Sequence, residues 1–165
     1  MKLSDAALLE LGFDRKAFML TPMSTSYDHE IPTHVYVMAA EHYHKIGIAT
    51  DVTKRREAMQ LHCPLSVSVV HTIRWPSRLI ALLVEQTTHR VLRPYRVHGE
   101  WFAADLPTIK RVLLPIAAAA RVLREQHMLE WKRRRIAWEI ENPHWRELGE
   151  DNMRIDATIM GRPAA

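Results

Sequence analysis

Residues 35–56, Val35-Tyr36-Val37-Met38-Ala39-Ala40-Glu41-His42-Tyr43-His44-Lys45-Ile46-Gly47-Ile48-Ala49-Thr50-Asp51-Val52-Thr53-Lys54-Arg55-Arg56, read as two short strands joined by a polar turn and followed by a basic helix. Val35–Met38 and Lys45–Ala49 are each short, rich in branched or aromatic side chains and bounded by polar residues, so a hairpin is the simplest link between them. Thr50 or Asp51 then offers an N-cap oxygen. Val52, Met59 and Leu61 give a partial apolar stripe up to Cys63-Pro64, where proline stops the helix. Three residues stand out. Tyr36 is a lone aromatic among aliphatic residues, Gly47 interrupts the second strand, and Arg55 follows that glycine by eight positions.

Working outward, Leu65–Ile73 alternates apolar and small polar residues, as a half-buried strand does. Ser77 stands where it can cap a helix over residues 78–92, which Pro94 ends. Within that helix Leu79, Ile80, Leu82, Leu83 and Val84 cover much of the circumference, so Glu85 lies against a buried stripe, with His89 one turn later on the same face. A carboxylate there calls for a reason, and a structural ion pair with Arg90 or Arg93 is the plain one. Glu100-Trp101-Phe102 reads as a brief strand whose rings seal the core. From Asp105 to about Trp138 the pattern is helical, with Pro115 expected to split it into a short and a long piece.

The chain has 165 residues, 47% hydrophobic and 25% charged, which suits one globular domain with appendages. We expect a short helix near Asp5–Leu11 and a linker within residues 1–30, the domain proper at 31–104, and a helical C-terminal extension at 105–165. The single cysteine, Cys63, excludes an internal disulfide, so a cytosolic setting is the default expectation. Asp5, Glu10 and Asp14 interrupt the apolar residues of the first segment, and no membrane anchor is expected. The net charge of +4 is concentrated in residues 31–138, where it would attract polyanions, while both ends are acidic. No phosphate-binding glycine loop, serine elbow or paired-histidine zinc motif is present. His42 and His44 lack the further ligands that a zinc site needs.

The order Val35-Tyr36, Lys45-Ile46-Gly47, Arg55 and then Glu85 on a later helix resembles the GIY-YIG nuclease superfamily. Residues 45–64 and the closing segments 84–92 and 98–102 are most similar to its T5orf172-like branch. Two departures are visible: His34 stands where the superfamily name implies glycine, and Lys45 stands where the second motif usually has tyrosine. A lysine there fits the T5orf172-like branch. The resemblance implies a compact α+β domain, a small antiparallel three-stranded sheet flanked by helices, that cuts DNA with one Mg²⁺ or Mn²⁺ ion. It also implies roles: Glu85 as the sole protein ligand of the metal, Arg55 on the scissile phosphate, Tyr36 or Lys45 as the base facing the water, and Gly47 and His89 in support.

DNA is the expected partner. Lys54 and Arg56 beside Arg55, and Arg121, Arg124, Lys132 and Arg135 along the C-terminal helix, are candidate phosphate contacts; solvated helix faces are the plain alternative. Two other functions fit the same residues. One is a catalytically silent nucleic-acid-binding module of this fold. The other is a helical interaction protein, forming oligomers through its C-terminal helices and their Trp131, Trp138 and Trp145.

Overall fold

The computed structural model describes residues 31–143 together with Ala6 and Glu10. Ala6 and Glu10 are helical and exposed, in the span where a helix is expected; the rest of Asp5–Leu11, the linker and Trp145 lie outside the described residues, as do the side chains of Trp131 and Arg135. The elements in order are β1 (Thr33–Ala40), β2 (Tyr43–Ala49), α1 (Val52–Gln60), β3 (Val67–Trp75), α2 (Arg78–Val91), a 3₁₀ turn at Arg93–Tyr95, β4 (Arg96–His98), β5 (Trp101–Phe102) and α3 (Leu106–Glu141). The class is α+β, as expected, but the antiparallel sheet has five strands rather than three, ordered β3-β1-β2-β5-β4. Of the two additional strands, β5 coincides with the brief strand read at Glu100-Trp101-Phe102, and β4, three residues long, is too short for an alternating pattern to register.

Alternation along the central strand β1 splits the core into two layers. Val35 and Val37 face Ile46, Ile73 and Trp75, and α2 and α3 cover them with Ile80, Val84, Ile109, Leu113, Ile116 and Leu123. Tyr36, Met38 and Ala40 face the other way, toward Val67 and the partly buried Val52, Met59, Cys63 and Trp101 beneath α1. None of the residues of α1 is fully buried, so polar ties at its ends hold it in place. Asp51 Oδ1 accepts from the Lys54 N–H at 3.0 Å. At the other end the Gln60 amide donates to the carbonyls of Cys63 (3.1 Å) and Leu65 (3.0 Å) and accepts from the Val67 N–H (2.8 Å), joining the helix to β3. Leu61, expected in the apolar stripe, sits at the C-cap and is 83% exposed. Ser77 occupies the N-cap of α2, yet its hydroxyl makes no capping hydrogen bond.

Pro115 does not split α3, which is continuous from Leu106 to Glu141. A proline inside a helix costs about 3 kcal/mol. Burial of Leu113 and Ile116 on either side contributes about 1.5–3 kcal/mol each and offsets it. Asp105 caps this helix by accepting from the Thr108 N–H at 2.9 Å. The core therefore continues well past Ala104. A chain ending at Ala104 would lose Ile109, Leu113, Ile116 and Leu123, whose summed burial rivals the roughly 5–15 kcal/mol that stabilises a whole domain. Such a chain is expected to melt without a cooperative transition by circular dichroism, and one ending at Gln126 to keep it; a cooperative melt of the shorter chain would refute this role for α3. No helix among the described residues is long and apolar enough to cross a membrane.

Candidate active site

The β1–β2 hairpin turns on two residues, Glu41 and His42, with Glu41 in the left-handed region at φ 53°. This turn sets the register that pairs Tyr36 with Gly47 and Met38 with Lys45. The Tyr36 ring crosses its partner: a Cβ at position 47 would lie 2.4 Å from the Tyr36 hydroxyl and 2.7 Å from Cζ. That contact explains the glycine in the second strand. The phenol is buried, and Arg55, reaching over from the first turn of α1, donates from Nε to its oxygen at 3.3 Å. Arg55 itself is exposed. Burial raises the Tyr36 pKa above its ordinary value, and the hydrogen bond and charge of Arg55 pull it back only in part.

The far edge of β2 is open because β5 pairs only with His44 and Lys45. Ile46 donates its N–H to the Glu100 carbonyl at 3.3 Å, and beyond that point α2 supplies the missing partners. His89 Nε2 donates to the Ile46 carbonyl at 3.0 Å; since a carbonyl only accepts, the proton is on Nε2. Glu85, one turn earlier, hydrogen-bonds the backbone of Ile48. Burial lowers the His89 pKa, which keeps the ring neutral. The glutamate and histidine of α2 thus serve as a side-chain extension of the sheet edge, and this places them beside the strand that Tyr36 crosses.

Glu85 is 7% exposed, and burial raises its pKa to about 7. The negative charge of Glu100 adds to the rise, while the charges of Lys45 and Arg78 and the Ile48 hydrogen bond oppose it. Lys45 forms an ion pair with Glu100. Burial alone would raise Glu100 as well, but the Lys45 hydrogen bond and the charges of Lys45 and Arg55 outweigh it and hold this carboxyl below the usual range. Two neighbouring carboxylates therefore differ in proton affinity, which is the pattern that acid–base chemistry uses.

Tyr36, Lys45, Gly47, Arg55, Glu85 and His89 fall within one interacting group, and Glu100 belongs with them. Glu100 is the residue that the sequence reading missed, since the segment Glu100-Trp101-Phe102 was assigned to sealing the core. The rings do that: Trp101 packs in the α1 layer and Phe102 in the other. The available signal was the preceding Gly99, whose φ of 53° makes the turn that delivers Glu100 to β2. Lys54 and Arg56 flank Arg55 on α1, with long 3.9 Å pairs to Asp51 and Glu57. On α3, Arg121 lies over the Trp75 ring at 5.6 Å, on a strand two removed from β2, Arg124 is half-buried and Lys132 is exposed.

Among the described residues no three His, Cys, Asp or Glu side chains are arranged to hold a metal ion. The residues present nonetheless fit Mg²⁺ or Mn²⁺, hard ions that take one or two carboxylates and keep water elsewhere. The carboxylate of Glu85, reluctant to ionise, gains most from a dication.

Its titration has a measurable consequence for stability. Glu85 has an ordinary value of 4.5 and titrates near 7 in the folded protein. Between those values the folded form keeps a proton that the unfolded form has released, so stability is full below about pH 4.5 and falls as pH rises through the folded pKa. The loss approaches roughly 3 kcal/mol above pH 7. Urea midpoints in chelator should therefore drop between about pH 5 and 8 for the native chain relative to Glu85→Gln. His71 and His89, both lowered by burial, are common to the two proteins and cancel. Parallel pH curves would contradict the raised value.

A hairpin whose tyrosine crosses a glycine, an arginine helix after it and a glutamate on the next helix together define a small α+β domain of the GIY-YIG type. Residues 33–117 match the family described as the T5orf172 domain, and the chain belongs to that family. The match runs into α3, as the core does. No curated protein and no solved structure matches the chain.

Proposed function

We propose that this chain is a metal-dependent DNA endonuclease that hydrolyses phosphodiester bonds. T5orf172 membership supports a nuclease-like, DNA-binding role. The observation that carries the finer reading is the exposed Arg55 bonded to the buried Tyr36, within electrostatic reach of the buried Glu85. Hydrolysis requires a water to lose its proton and negative charge on the phosphoryl group to be balanced. With its Nε engaged by Tyr36, Arg55 offers its remaining nitrogens as a fork for the scissile phosphate. Glu85 would hold Mg²⁺ or Mn²⁺ with Glu100 adjacent, and the ion, when bound, supplies Lewis-acid charge and acidifies water.

Lys45 is engaged as a cation by Glu100, and we assign the proton of the attacking water to Tyr36; Arg55 offsets only part of the rise that burial causes in the phenol's pKa, so the charge of a bound dication would have to supply the rest. His89 holds β2 through the Ile46 carbonyl and so fixes Lys45 and Gly47 on either side. The test is relaxation of supercoiled plasmid by chelator-treated protein with and without added Mg²⁺ or Mn²⁺. Tyr36→Phe should lower the rate by about 10²–10⁴, whereas Lys45→Arg, which keeps the charge, should lower it far less. The reverse order would transfer the base to Lys45, and absence of metal-dependent relaxation would remove the nuclease reading.

On the same reading Arg124 and Lys132 extend the phosphate-binding surface along α3, in company with Arg121 and Arg135. Replacing Arg124 and Lys132 by glutamine should flatten the slope of log affinity against log salt by roughly one per lost contact. An unchanged slope would leave them as solvated helix positions.

A further inference from the structure

Between the end of α1, the hairpin tip and β4 lies an open pocket of about 210 Å³. Its wall is apolar, built from Tyr43, Cys63, Leu65, Val97, His98 and Trp101. We infer that this pocket receives one unpaired nucleobase of the bound strand, so that the preferred substrate is single-stranded or locally opened DNA; this rests on the DNA reading above.

Three observations converge on a base. The pocket contributes three ring systems, and stacking on aromatic side chains is how proteins hold bases without reading their sequence. Its volume falls below the roughly 300–1,000 Å³ of sites for larger ligands, and one flat heterocycle suits it. The pocket shares Trp101 with the neighbourhood of the candidate active site: this residue pairs in register with Lys45, follows Glu100 directly, and has the Lys45 ammonium 6.0 Å from its ring centroid. Tyr36, to which Arg55 is bonded, and Trp101 share one core layer, so a strand held at Arg55 passes the face of the sheet on which this apolar recess lies. A base inside a duplex is stacked on both faces and cannot enter, so the nucleotide must be unpaired or extruded.

The probe is a pair of labelled strands of roughly 15 nucleotides with equal charge: oligothymidylate, and an abasic polymer with the same phosphates and no bases. Both are added to the full chain in chelator, so that cleavage plays no part. Affinity is read by fluorescence anisotropy, and occupancy by the alkylation rate of Cys63, the chain's single cysteine, with N-ethylmaleimide. Oligothymidylate is expected to bind about tenfold more tightly and, at saturation, to slow alkylation severalfold, while the saturating abasic strand leaves the rate unchanged. Equal affinity and equal protection would overturn the base pocket and leave phosphate binding, and with it the DNA reading, intact. Binding of neither strand would overturn both. A Cys63 that reacts slowly in the free protein at every dilution, or more slowly as protein concentration rises, would assign the pocket to the chain itself or to a second copy and overturn the inference too.

Discussion

Glu85→Gln is expected to lower metal-dependent plasmid relaxation by a hundredfold or more, about 2.7 kcal/mol of transition-state stabilisation, without weakening the fold. Glutamine keeps the shape and leaves an amide to contact the Ile48 backbone, but it removes the charge that would hold Mg²⁺ or Mn²⁺. Glu85 is buried on the same helix as Ile80, Ala81 and Val84, so an ionised carboxylate there is costly until a cation compensates it. Two effects of opposite sign should thus appear in one variant. Without metal at about pH 8, Glu85→Gln should melt at a higher temperature than the native chain; with Mg²⁺ added, the native chain should gain stability and the variant should not. A variant that loses stability and activity together would show instead that Glu85 is structural. Full activity in the variant would dismiss it as the metal carboxylate.

The parts of the site legible in the sequence were those fixed by local spacing. The hairpin that carries Tyr36 and Gly47 was legible because a polar turn joins two short strands, though its register was not, and Glu85 with His89 because a helix brings residues four apart onto one face. What these side chains do at the edge of β2 was not legible, since it depends on β5 ending after two residues and exposing Ile46 and Ile48. Glu100 escaped notice for the same reason: its partner Lys45 is 55 positions away, and only the sheet brings the two together. The continuity of α3 across Pro115 reflects tertiary burial outweighing a local penalty, and Gln60, an unremarkable helical glutamine in the sequence, joins α1 to β3 through three hydrogen bonds. Pattern reading sees one element at a time, whereas this site is made where four of them meet.

Gly47→Ala should be the most damaging single methyl group that can be added to the hairpin. The backbone of Gly47 is not in the left-handed region, so the effect is steric rather than conformational; Gly99, at φ 53° with nothing near its would-be Cβ, is the opposite case. A methyl at 47 meets the Tyr36 hydroxyl and Cζ at distances no carbon tolerates, and the ring is 1% exposed, wedged with Met38 and Trp101 beneath α1. Relief requires the ring to leave Arg55 or β2 to draw back from β1, and overpacking of this kind typically costs about 1–3 kcal/mol. Because either movement separates Tyr36 from Arg55, cleavage should fall at least as far as in Tyr36→Phe. The cause can be isolated with a double-mutant cycle. Tyr36→Ala removes the atoms that the new methyl strikes, so Gly47→Ala added to Tyr36→Ala should cost at least about 1 kcal/mol less than Gly47→Ala alone. Additive unfolding energies would mean that position 47 needs glycine for some reason other than the tyrosine lying across it.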